Sequence, residues 1–389
     1  MKVALIRKKY SPFGGAERYL DTLVERLLGL GHEVHIFANQ WESTTRNSKL
    51  ETQKLFFHDV PMIKGLPFLE VLSFAINAGR LLKKERFDVI HSFERTLYQD
   101  IYRAGDGCHK EWLIQRAKYE PPWKTFLVRI NPLHWSFLWI EKQLFSLHNT
   151  KMVIANSQRG KEEIIRHYDF PPDRIRVIYN GVDSNRFHPN NREKFRKGVR
   201  DRLGLTEDDK VVLFLGSGFE RKGLSFAIES LNRMNERKAK LLVAGKDNPR
   251  RYRRQARRLG VIDRVIFYGP TKEPEKLYAA ADVFLLPTIY EPFSNACLEA
   301  MVSGVPVITS KGNGVSELIE HGITGVCVED PSDVESLKGA VQMLLRQGNS
   351  KTTKWAKTKC QLIGIENHVG ETVACYKAML SQYDEDKTF

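Results

Sequence analysis

Long apolar runs are absent from this chain of 389 residues, and none approaches the roughly 18 residues that a membrane-spanning helix needs. The five cysteines are odd in number, widely spaced and without a Cys-x-x-Cys pair, so neither a disulfide framework nor a zinc site is expected. The apolar residues 3–6 are too few for a signal peptide, and the charges at residues 7–9 follow them rather than precede them. We therefore expect a protein that stays in the reducing cytoplasm.

The composition is that of a globular protein, with 42% hydrophobic and 28% charged residues, and the length is sufficient for two domains. The formal net charge of +14 indicates a polyanionic partner or environment. Nucleic acid, anionic lipid and nucleotide substrates all meet that requirement, so charge by itself does not choose among them.

Short apolar stretches alternate with amphipathic segments, which is the pattern of parallel sheets covered by helices on both faces. The predicted strands are residues 2–6, 33–38, 88–91 and 152–155 in a first series and 211–215, 241–244, 265–268, 283–286, 305–309 and 325–328 in a second. We therefore predict an α/β fold of two Rossmann-like domains facing a cleft, over residues 1–175 and 176–363. A C-terminal helix and tail, residues 364–389, are a candidate to cross back to the first domain.

The most informative motif is YEPFSNACLE at residues 290–299, which holds two carboxylates eight positions apart. The flanking patterns predict that Glu291 lies in the turn after a buried strand and Glu299 about two turns into the next helix. Backbone N–H groups at such a helix N-terminus bind anions. In this motif, the backbone N–H groups at the helix N-terminus are those of Phe293, Ser294 and Asn295. A single carboxylate is most often a strand end or a solvated residue, whereas this pair indicates a binding site.

Two glycine-bearing loops follow predicted strands, GGAER at residues 14–18 and GSGFERKG at residues 216–223. A dinucleotide fingerprint would need glycine where the second loop has Arg221, and no GxxxxGK[ST] phosphate loop is present. Instead, Arg221 and Lys222 end the loop next to a strand terminus, where two cations can neutralise a departing diphosphate. A solvated basic pair before a helix is the alternative.

These motifs together resemble a family 4 glycosyltransferase of the GT-B fold, and the likeness runs over most of the chain. The residues that carry it are Gly14-Gly15-Ala16-Glu17, Asn180-Gly181-Val182-Asp183, Arg221-Lys222-Gly223 and the pair Glu291/Glu299. Within the family, residues 10–15, 216–223 and 244–250 are similar to those of glucosyltransferases of the lipopolysaccharide core. The resemblance implies a retaining transfer of a hexose, glucose foremost, from a UDP-sugar to a hydroxyl of a lipid-linked saccharide such as the lipopolysaccharide inner core.

The resemblance also implies roles on the donor side. Arg221 and Lys222 would bind the diphosphate, Glu299 the ribose and Glu291 the sugar hydroxyls. The amides at residues 293–295 would help place the sugar, Gly15 would lie against the phosphates, and the loop after Tyr268 would face the base. No metal or other cofactor is expected, because the two cations and the helix N-termini would neutralise the leaving group. The sole Asp-x-Asp, at residues 384–386, fits a solvated tail.

On the acceptor side, Asp106 matches a family position near the acceptor and is the candidate for accepting the acceptor's proton, with His109 as its rival. A lone Asp between glycines is more often a turn residue, which is the structural alternative. Related glucosyltransferases carry an Asp where this chain has Tyr19, which predicts a different donor or acceptor preference. Glu17 is then a candidate to take over part of the role of that Asp.

Residues 109–151 hold four of the six tryptophans, interleaved with basic residues. This composition suits an anionic membrane surface, which a lipid-linked acceptor would require. We prefer that interpretation to a core in which the aromatics are buried, and expect a peripheral protein on the cytoplasmic face of the inner membrane. A second basic run, RRYRRQARR at residues 250–258, could bind a phosphorylated acceptor or lipid, but we interpret it as a solvated face.

Three other functions stay open. A glycosyltransferase of the same family acting on another glycan or glycolipid would carry the same motifs. A basic nucleic-acid-binding protein would account for the charge but not for the Glu291/Glu299 pair with Arg221 and Lys222. An NAD-dependent oxidoreductase would share the scaffold but lacks the third glycine of the fingerprint. Fold by itself does not decide among functions.

Overall fold

The structure, a computed structural model, describes residues 1–10, 15–41, 54–359 and 362–386, and their side chains except those of residues 15–18, 41 and 382–386. The chain divides into two compact units: a first unit of Met1–Gly181 with Ile365–Phe389, and a second unit of Val182–Gly364. The sequence places these divisions after residues 175 and 363, and the structure places them after Gly181 and Gly364.

The first unit is built on one parallel sheet with helices along the chain between its strands. Its elements up to residue 177 are β1 (Lys2–Ile6), β2 (Lys9–Tyr10), α1 (Gly15–Gly29), β3 (Glu33–Ala38), β4 (Gln40–Trp41), β5 (Leu55–Asp59), α2 (Pro67–Leu82), β6 (Val89–Ser92), β7 (Ile101–Ala104), α3 (His109–Ala117), α4 (Pro122–Ile130), α5 (Pro132–Leu144), β8 (Met152–Ala155), α6 (Gln158–Tyr168) and β9 (Ile175–Val177).

The strand order in this sheet is β5-β3-β1-β6-β7-β8-β9, and β2 and β4 form a separate parallel pair. Strands β6 and β8 are buried along their whole length; β8 is apolar throughout, as a strand covered on both faces is expected to be, whereas β6 also buries the polar residues His91 and Ser92. The chain order reverses at β1, whose neighbours are β3 and β6. In such sheets, ligands bind at the carboxyl ends of the strands where the order reverses.

The strand β7 was not predicted, because it carries a charge where a buried strand is expected to be apolar. Arg103 in this strand is buried, and its guanidinium bonds to His368 Nε2 at 2.8 Å and to Asn180 Oδ1 at 2.6 Å. The same guanidinium lies over the ring of Tyr19, 4.4 Å from its centroid. Partners far away in the sequence therefore satisfy the buried charge, which no local pattern shows.

The second unit repeats the architecture. Its elements are α7 (Asn191–Arg202), β10 (Lys210–Leu215), α8 (Leu224–Arg233), β11 (Ala239–Ala244), α9 (Arg250–Arg258), β12 (Val265–Gly269), α10 (Pro274–Ala280), β13 (Val283–Leu286), α11 (Asn295–Val302), β14 (Val307–Ser310), β15 (Gly325–Val328), α12 (Val334–Gln347) and α13 (Ser350–Lys359). The parallel order is β12-β11-β10-β13-β14-β15, so the order reverses between β10 and β13.

The last helix, α14 (Ile365–Asp386), belongs to the first unit and packs on α1. Val369, Val373, Tyr376 and Met379 from α14 join the apolar core formed by α1 and the sheet. The Tyr376 hydroxyl also lies 2.6 Å from Nδ1 of the buried His91 on β6. The expectation that the C-terminal helix crosses back to the first domain is confirmed, as is the two-domain α/β fold.

Within the described part of the chain, no helix is both long enough and apolar enough to cross a bilayer.

Candidate active site

Two loops meet at the point of the second unit where the strand order reverses. Residues 216–223 follow β10, and residues 287–294 follow β13. The backbone carbonyl of Arg221 accepts hydrogen bonds from Ile289 N–H at 2.9 Å and from Thr288 Oγ1 at 3.0 Å. A Cβ atom added to Gly223, whose φ is +77°, would lie 1.9 Å from the Pro287 carbonyl oxygen. Glycine is therefore required there for the two loops to touch.

Three predicted donor-site residues form one charged cluster in these loops. Oε2 of Glu291 lies 2.8 Å from Arg221 Nη1 and 3.3 Å from Lys222 Nζ. Arg221 Nη1 also donates to the Tyr290 carbonyl at 3.0 Å. Lys222 folds back against Gly216, where an added Cβ would lie 2.8 Å from Nζ. The sequence motifs assigned the acid and the cations to different parts of a ligand, whereas the structure joins them directly.

The charge of this cluster follows from its surroundings. Burial raises the pKa of the Glu291 carboxyl, but Lys222 and Arg221 act in the opposite direction and hold that pKa below its ordinary value. Glu291 is therefore ionised near neutral pH, and the three residues carry one net positive charge. Oε1 of Glu291 makes no hydrogen bond or ion pair to a described residue, so this oxygen is available to a hydroxyl group of a ligand.

The helix after Glu291 begins later than the sequence suggested. α11 starts at Asn295, and the side chain of Ser294 caps it by accepting from Cys297 N–H. Of the three amides predicted to bind an anion, the Ser294 N–H donates to Asn313 Oδ1 at 3.1 Å. That amide is therefore taken by the protein, and the prediction is wrong for Ser294. Phe293 and Asn295 remain candidates.

The sequence did not single out Asn313, which organises this turn. It is fully buried, and its Oδ1 accepts from Ser294 N–H and from Val315 N–H at 3.3 Å. Its Nδ2 donates to Thr309 Oγ1 at 3.0 Å. Glu291 is held from the same side, because its N–H donates to Gly312 O and its carbonyl accepts from Gly314 N–H. An asparagine between two glycines, shortly after a predicted strand, is the sequence signal that could have pointed to it.

Glu299 is the fifth residue of α11, about one turn from its start rather than the two turns expected. Its Oε2 accepts a hydrogen bond from the Tyr278 hydroxyl at 3.0 Å, and the same hydroxyl donates to Ala296 O. Burial and the Glu299 carboxylate raise the pKa of Tyr278 well above its ordinary value, so Tyr278 stays a donor. Tyr278 thereby orients Glu299.

In the first unit, Asp106 follows β7 and is 66% exposed, with Oδ2 3.8 Å from Arg95 Nη1. His109 is the first residue of α3 and lies 3.0 Å, Nε2 to Nδ1, from His134. Burial, with nearby Arg95 and His134, lowers the pKa of His109 to about 3. So weak a base is a poor proton acceptor near neutral pH, which leaves Asp106 as the better candidate.

The remaining acceptor-side candidates are Tyr19 and Glu17, which lie on α1 together with the donor-side candidate Gly15. Tyr19 is only 5% exposed, stacks on His368 with ring centroids 4.1 Å apart, and lies 2.8 Å through its hydroxyl from Thr372 Oγ1. Its placement on the acceptor side is therefore wrong, because α14 covers it. Gly15 begins α1, as the motif predicted. The Glu17 side chain and the backbone of Gly14 lie outside the described residues.

A residue that the sequence did not reveal lies beside Asp106 at this edge of the first sheet. Glu94 follows β6, where the strand order reverses, and its Oε1 accepts from Lys8 N–H at 3.2 Å and lies 3.6 Å from Arg7 Nη1. Burial raises the pKa of Glu94; Arg7 lowers it, while the Asp106 carboxylate raises it further. Glu94 and Asp106 are thus two carboxylates at the carboxyl ends of neighbouring strands.

The aromatic segment turns part of its apolar surface outward. Trp123 and Phe126 on α4 and Trp135 on α5 are each 62% exposed, and Trp139 on α5 is 46% exposed. Leu127 and Ile130 extend the same exposed surface, whereas Phe145 is buried. The alternative interpretation, in which the aromatic side chains are buried in the core of the first unit, is therefore wrong for these exposed residues of α4 and α5. We call the six exposed residues the aromatic surface; they are Trp123, Phe126, Leu127, Ile130, Trp135 and Trp139.

Among the described residues, no group of three or more His, Cys, Asp or Glu side chains is placed to hold a metal ion. The cations beside Glu291 can hold an anionic group, and the Glu291 and Glu299 carboxylates can accept hydrogen bonds from hydroxyl groups. The second unit thus has two cations and two carboxylates, suited to an anion and to hydroxyl groups, at one edge of its sheet.

Comparison with known proteins identifies the two halves of the chain. Residues 195–360 match the family model described as glycosyl transferases group 1, and residues 13–186 match glycosyltransferase family 4. The chain is 27% identical to an uncharacterised glycosyltransferase of Methanocaldococcus jannaschii, over 97% of this chain and 98% of that protein. It is 27% identical to the lipopolysaccharide glucosyltransferase WaaG of Escherichia coli, over 92% of each.

The fold is also that of solved glycosyltransferases. The crystal structure of WaaG, a glycosyltransferase involved in lipopolysaccharide biosynthesis, superimposes with a TM-score of 0.79 and 25% identity, covering 95% of this chain and 98% of that one. The structure of Anabaena HepE in complex with UDP-glucose superimposes with a TM-score of 0.72 and 20% identity, covering 96% and 100%. At that identity, HepE shows the fold alone.

Proposed function

Because the chain belongs to the GT-B glycosyltransferases, with their family 4 and group 1 domains, we propose that it transfers a hexose from a UDP-sugar to a hydroxyl of a lipid-linked saccharide. Glucose is the proposed sugar and the lipopolysaccharide inner core the proposed acceptor. The relationship to the E. coli lipopolysaccharide glucosyltransferase supports both choices. HepE, which shares the fold, binds UDP-glucose, and this supports a uridine nucleotide donor.

The observation that carries the proposal is the cluster of Glu291 with Arg221 and Lys222. The two cations bind the diphosphate and neutralise it as it leaves, while Oε1 of Glu291 accepts from a hydroxyl of the donor sugar. Glu299, oriented by Tyr278, accepts from the ribose hydroxyls. Phe293 and Asn295 belong to the turn that Asn313 holds, and we propose that this turn lies beside the sugar and diphosphate.

The proposed chemistry is a retaining transfer. The bond between the sugar anomeric carbon and the β-phosphate oxygen breaks, and the electron pair leaves with UDP. The acceptor oxygen forms its bond to the same carbon on the same face, and its proton passes to the Asp106 carboxylate. Positioning and charge stabilisation supply the catalysis, and the positive charge at the leaving group comes from Arg221 and Lys222 rather than from a metal ion.

The acceptor's lipid anchor agrees with the aromatic surface on α4 and α5. Exposed tryptophans with an apolar body and a polar N–H suit the interface of a bilayer, and lysines and arginines of the same segment suit its anionic headgroups. We therefore propose that the protein works as a peripheral protein on the cytoplasmic face of the inner membrane, with the first unit in contact with lipid.

The test is thermal unfolding of the purified chain with UDP, UDP-glucose, UDP-galactose, UDP-N-acetylglucosamine and GDP-mannose, followed by transfer assays with EDTA present. A ligand at 100 times its dissociation constant stabilises the folded state by about 2.7 kcal/mol. We expect stabilisation by UDP and one UDP-sugar, lost in Lys222→Ala, and turnover that survives EDTA. Stabilisation by GDP-mannose instead would overturn the donor, and a requirement for a divalent cation would overturn metal-independent catalysis.

A further inference from the structure

The helix α9 carries six arginines among nine residues and no acidic residue. Tyr252 and Ala256 are buried and fix which side of the helix faces the second unit. Arg250, Arg254 and Arg257, spaced by four and three residues, lie on the opposite side and are exposed. We call these three residues the arginine stripe.

The arginine stripe has no carboxylate partner within the described part of the chain. Its neighbours on the same helix are engaged, since Arg251 Nη1 lies 3.2 Å from Glu220 Oε1 and Arg253 stacks on Phe267 at 4.5 Å. The stripe therefore differs from Arg251 and Arg253, because no described residue forms an ion pair or a ring contact with its guanidinium groups.

A second row of arginines in the same unit has a structural role. Arg192, Arg196 and Arg200 follow one side of α7 and all converge on the Asp282 carboxylate, at 3.0, 2.9 and 2.8 Å. That row ties α7 to the start of β13 and is complete within the protein. The stripe on α9 also follows one side of its helix, at a spacing of four and three residues rather than four and four, but it has no such anchor among the described residues.

The stripe is also unfavourable for the helix that carries it. Like charges three and four residues apart repel each other, and Arg250 and Arg251 stand at the helix N-terminus, where the dipole favours anions. Asn248 Oδ1 accepts from Arg250 N–H at 3.0 Å, a neutral contact that does not offset this positive charge. Local conflict of this kind is typical of a surface that functions with a partner.

We propose that the arginine stripe docks on an anionic bilayer surface. The partner must be anionic, and guanidinium groups match the phosphates of lipid headgroups. The row spans about 10 Å at 1.5 Å per residue, which suits several headgroups side by side. The one aromatic residue of α9, Tyr252, is buried and offers no ring to stack on bases, so a single-stranded nucleic acid fits this helix less well.

This inference deepens the proposed function, because it adds an electrostatic membrane contact in the second unit to the aromatic surface of the first. The loop that leads into α9 is tied to the loop of Arg221 and Lys222. Asp247 Oδ2 accepts from Phe219 N–H at 2.8 Å, and Ser217 Oγ accepts from Lys246 N–H at 3.1 Å. Docking of the stripe thus holds the donor loop near the membrane.

The experiment compares two triple variants of the full chain in vesicle co-sedimentation. R250Q/R254Q/R257Q removes the stripe, and K354Q/K357Q/K359Q removes three exposed lysines from α13 of the same unit as a control for net charge. The vesicles are phosphatidylcholine alone or phosphatidylcholine with phosphatidylglycerol, at low and high salt. Circular dichroism and thermal unfolding check that both variants fold.

We expect the stripe variant to bind the anionic vesicles about 10²-fold more weakly, the fold-change to which three cations at about 1 kcal/mol each convert. Its binding to neutral vesicles should not change, and the lysine variant should bind like the wild type. The difference should shrink at high salt because the contact is electrostatic.

Equal losses in the two variants would show a net-charge effect only and overturn the proposal. Unchanged vesicle binding with a loss of duplex DNA binding in the stripe variant would assign the surface to nucleic acid instead. The failure of the proposed function has a separate readout: the wild-type chain would then gain no stability from any nucleotide sugar, whatever its vesicle binding.

Discussion

Glu291 and Lys222 form an ion pair, with 3.3 Å between Oε2 and Nζ, although the two residues lie on loops that follow different strands. Arg221 contacts the same oxygen. The acid therefore fixes the positions of both cations before a ligand arrives, so less side-chain freedom is lost on binding. It also lowers the net charge that a diphosphate meets, so its removal should affect binding and turnover in opposite ways.

Replacing Lys222 with alanine should lower turnover by about 10²- to 10³-fold, because one of the two cations that stabilise the leaving diphosphate is lost. Steady-state kinetics with the donor identified by thermal unfolding measure this. Lys210→Ala is the matched control, because that exposed lysine stands at the opposite end of β10. Near-wild-type turnover in Lys222→Ala would remove Lys222 from the chemistry.

Replacing Glu291 with glutamine should impair sugar transfer while UDP binds at least as tightly as before. The variant loses the carboxylate that opposes the charge of Arg221 and Lys222, so the diphosphate meets two uncompensated cations. Calorimetric titration with UDP and with the UDP-sugar separates the two effects. If UDP affinity and turnover fall in parallel, the structural role of Glu291 outweighs its role in binding the sugar.

The same pair makes a pH-dependent contribution to stability. The folded-state pKa of Glu291 lies below its ordinary value of 4.5, so its stabilising effect is complete above the unfolded pKa and is lost as the pH falls through the folded pKa. The unfolding temperatures of wild type and Glu291→Gln should differ at pH 7, and the difference should shrink as the pH falls below 4.5. A difference that stays constant down to pH 3 would contradict this linkage.

Replacing Asn313 with alanine should destabilise the chain and weaken donor binding together. Two buried N–H groups, of Ser294 and Val315, lose their acceptor, and each buried unsatisfied group costs about 1–3 kcal/mol. Denaturant unfolding measures the loss, with Asn232→Ala, an exposed asparagine on α8 of the same unit, as the control. Full stability with weak donor binding would show that the turn relaxes without Asn313.

Replacing Trp135 and Trp139 with serine should weaken vesicle binding without unfolding the first unit, because both side chains are largely exposed. Co-sedimentation with neutral vesicles is the measurement, since the apolar contact does not depend on headgroup charge. Trp355→Ser, on α13 of the second unit, is the tryptophan control. Vesicle binding equal to the wild type would refute lipid contact by the aromatic surface.

The sequence by itself determined the two α/β series, most strand positions and the residue types of the donor site. Alternating apolar runs and glycine-bearing turns are local signals, and they placed Arg221, Lys222 and Glu291 at strand ends. The strand order that brings β10 beside β13, and hence these residues together, is a long-range pairing that no local pattern encodes.

The tertiary structure decided the rest, because burial and partnership depend on residues far apart in the chain. It buried Tyr19 under α14, joined Arg103 to His368 and Asn180, and placed Glu94 beside Asp106. It turned the aromatic surface of α4 and α5 outward, as the preferred interpretation of the sequence expected, whereas composition by itself also allowed a buried core. It also separated two arginine rows that each follow one side of a helix, one that converges on Asp282 and one that meets no carboxylate of a described residue. Spacing sets the side of a helix on which a residue lies, but only the fold decides what that side contacts.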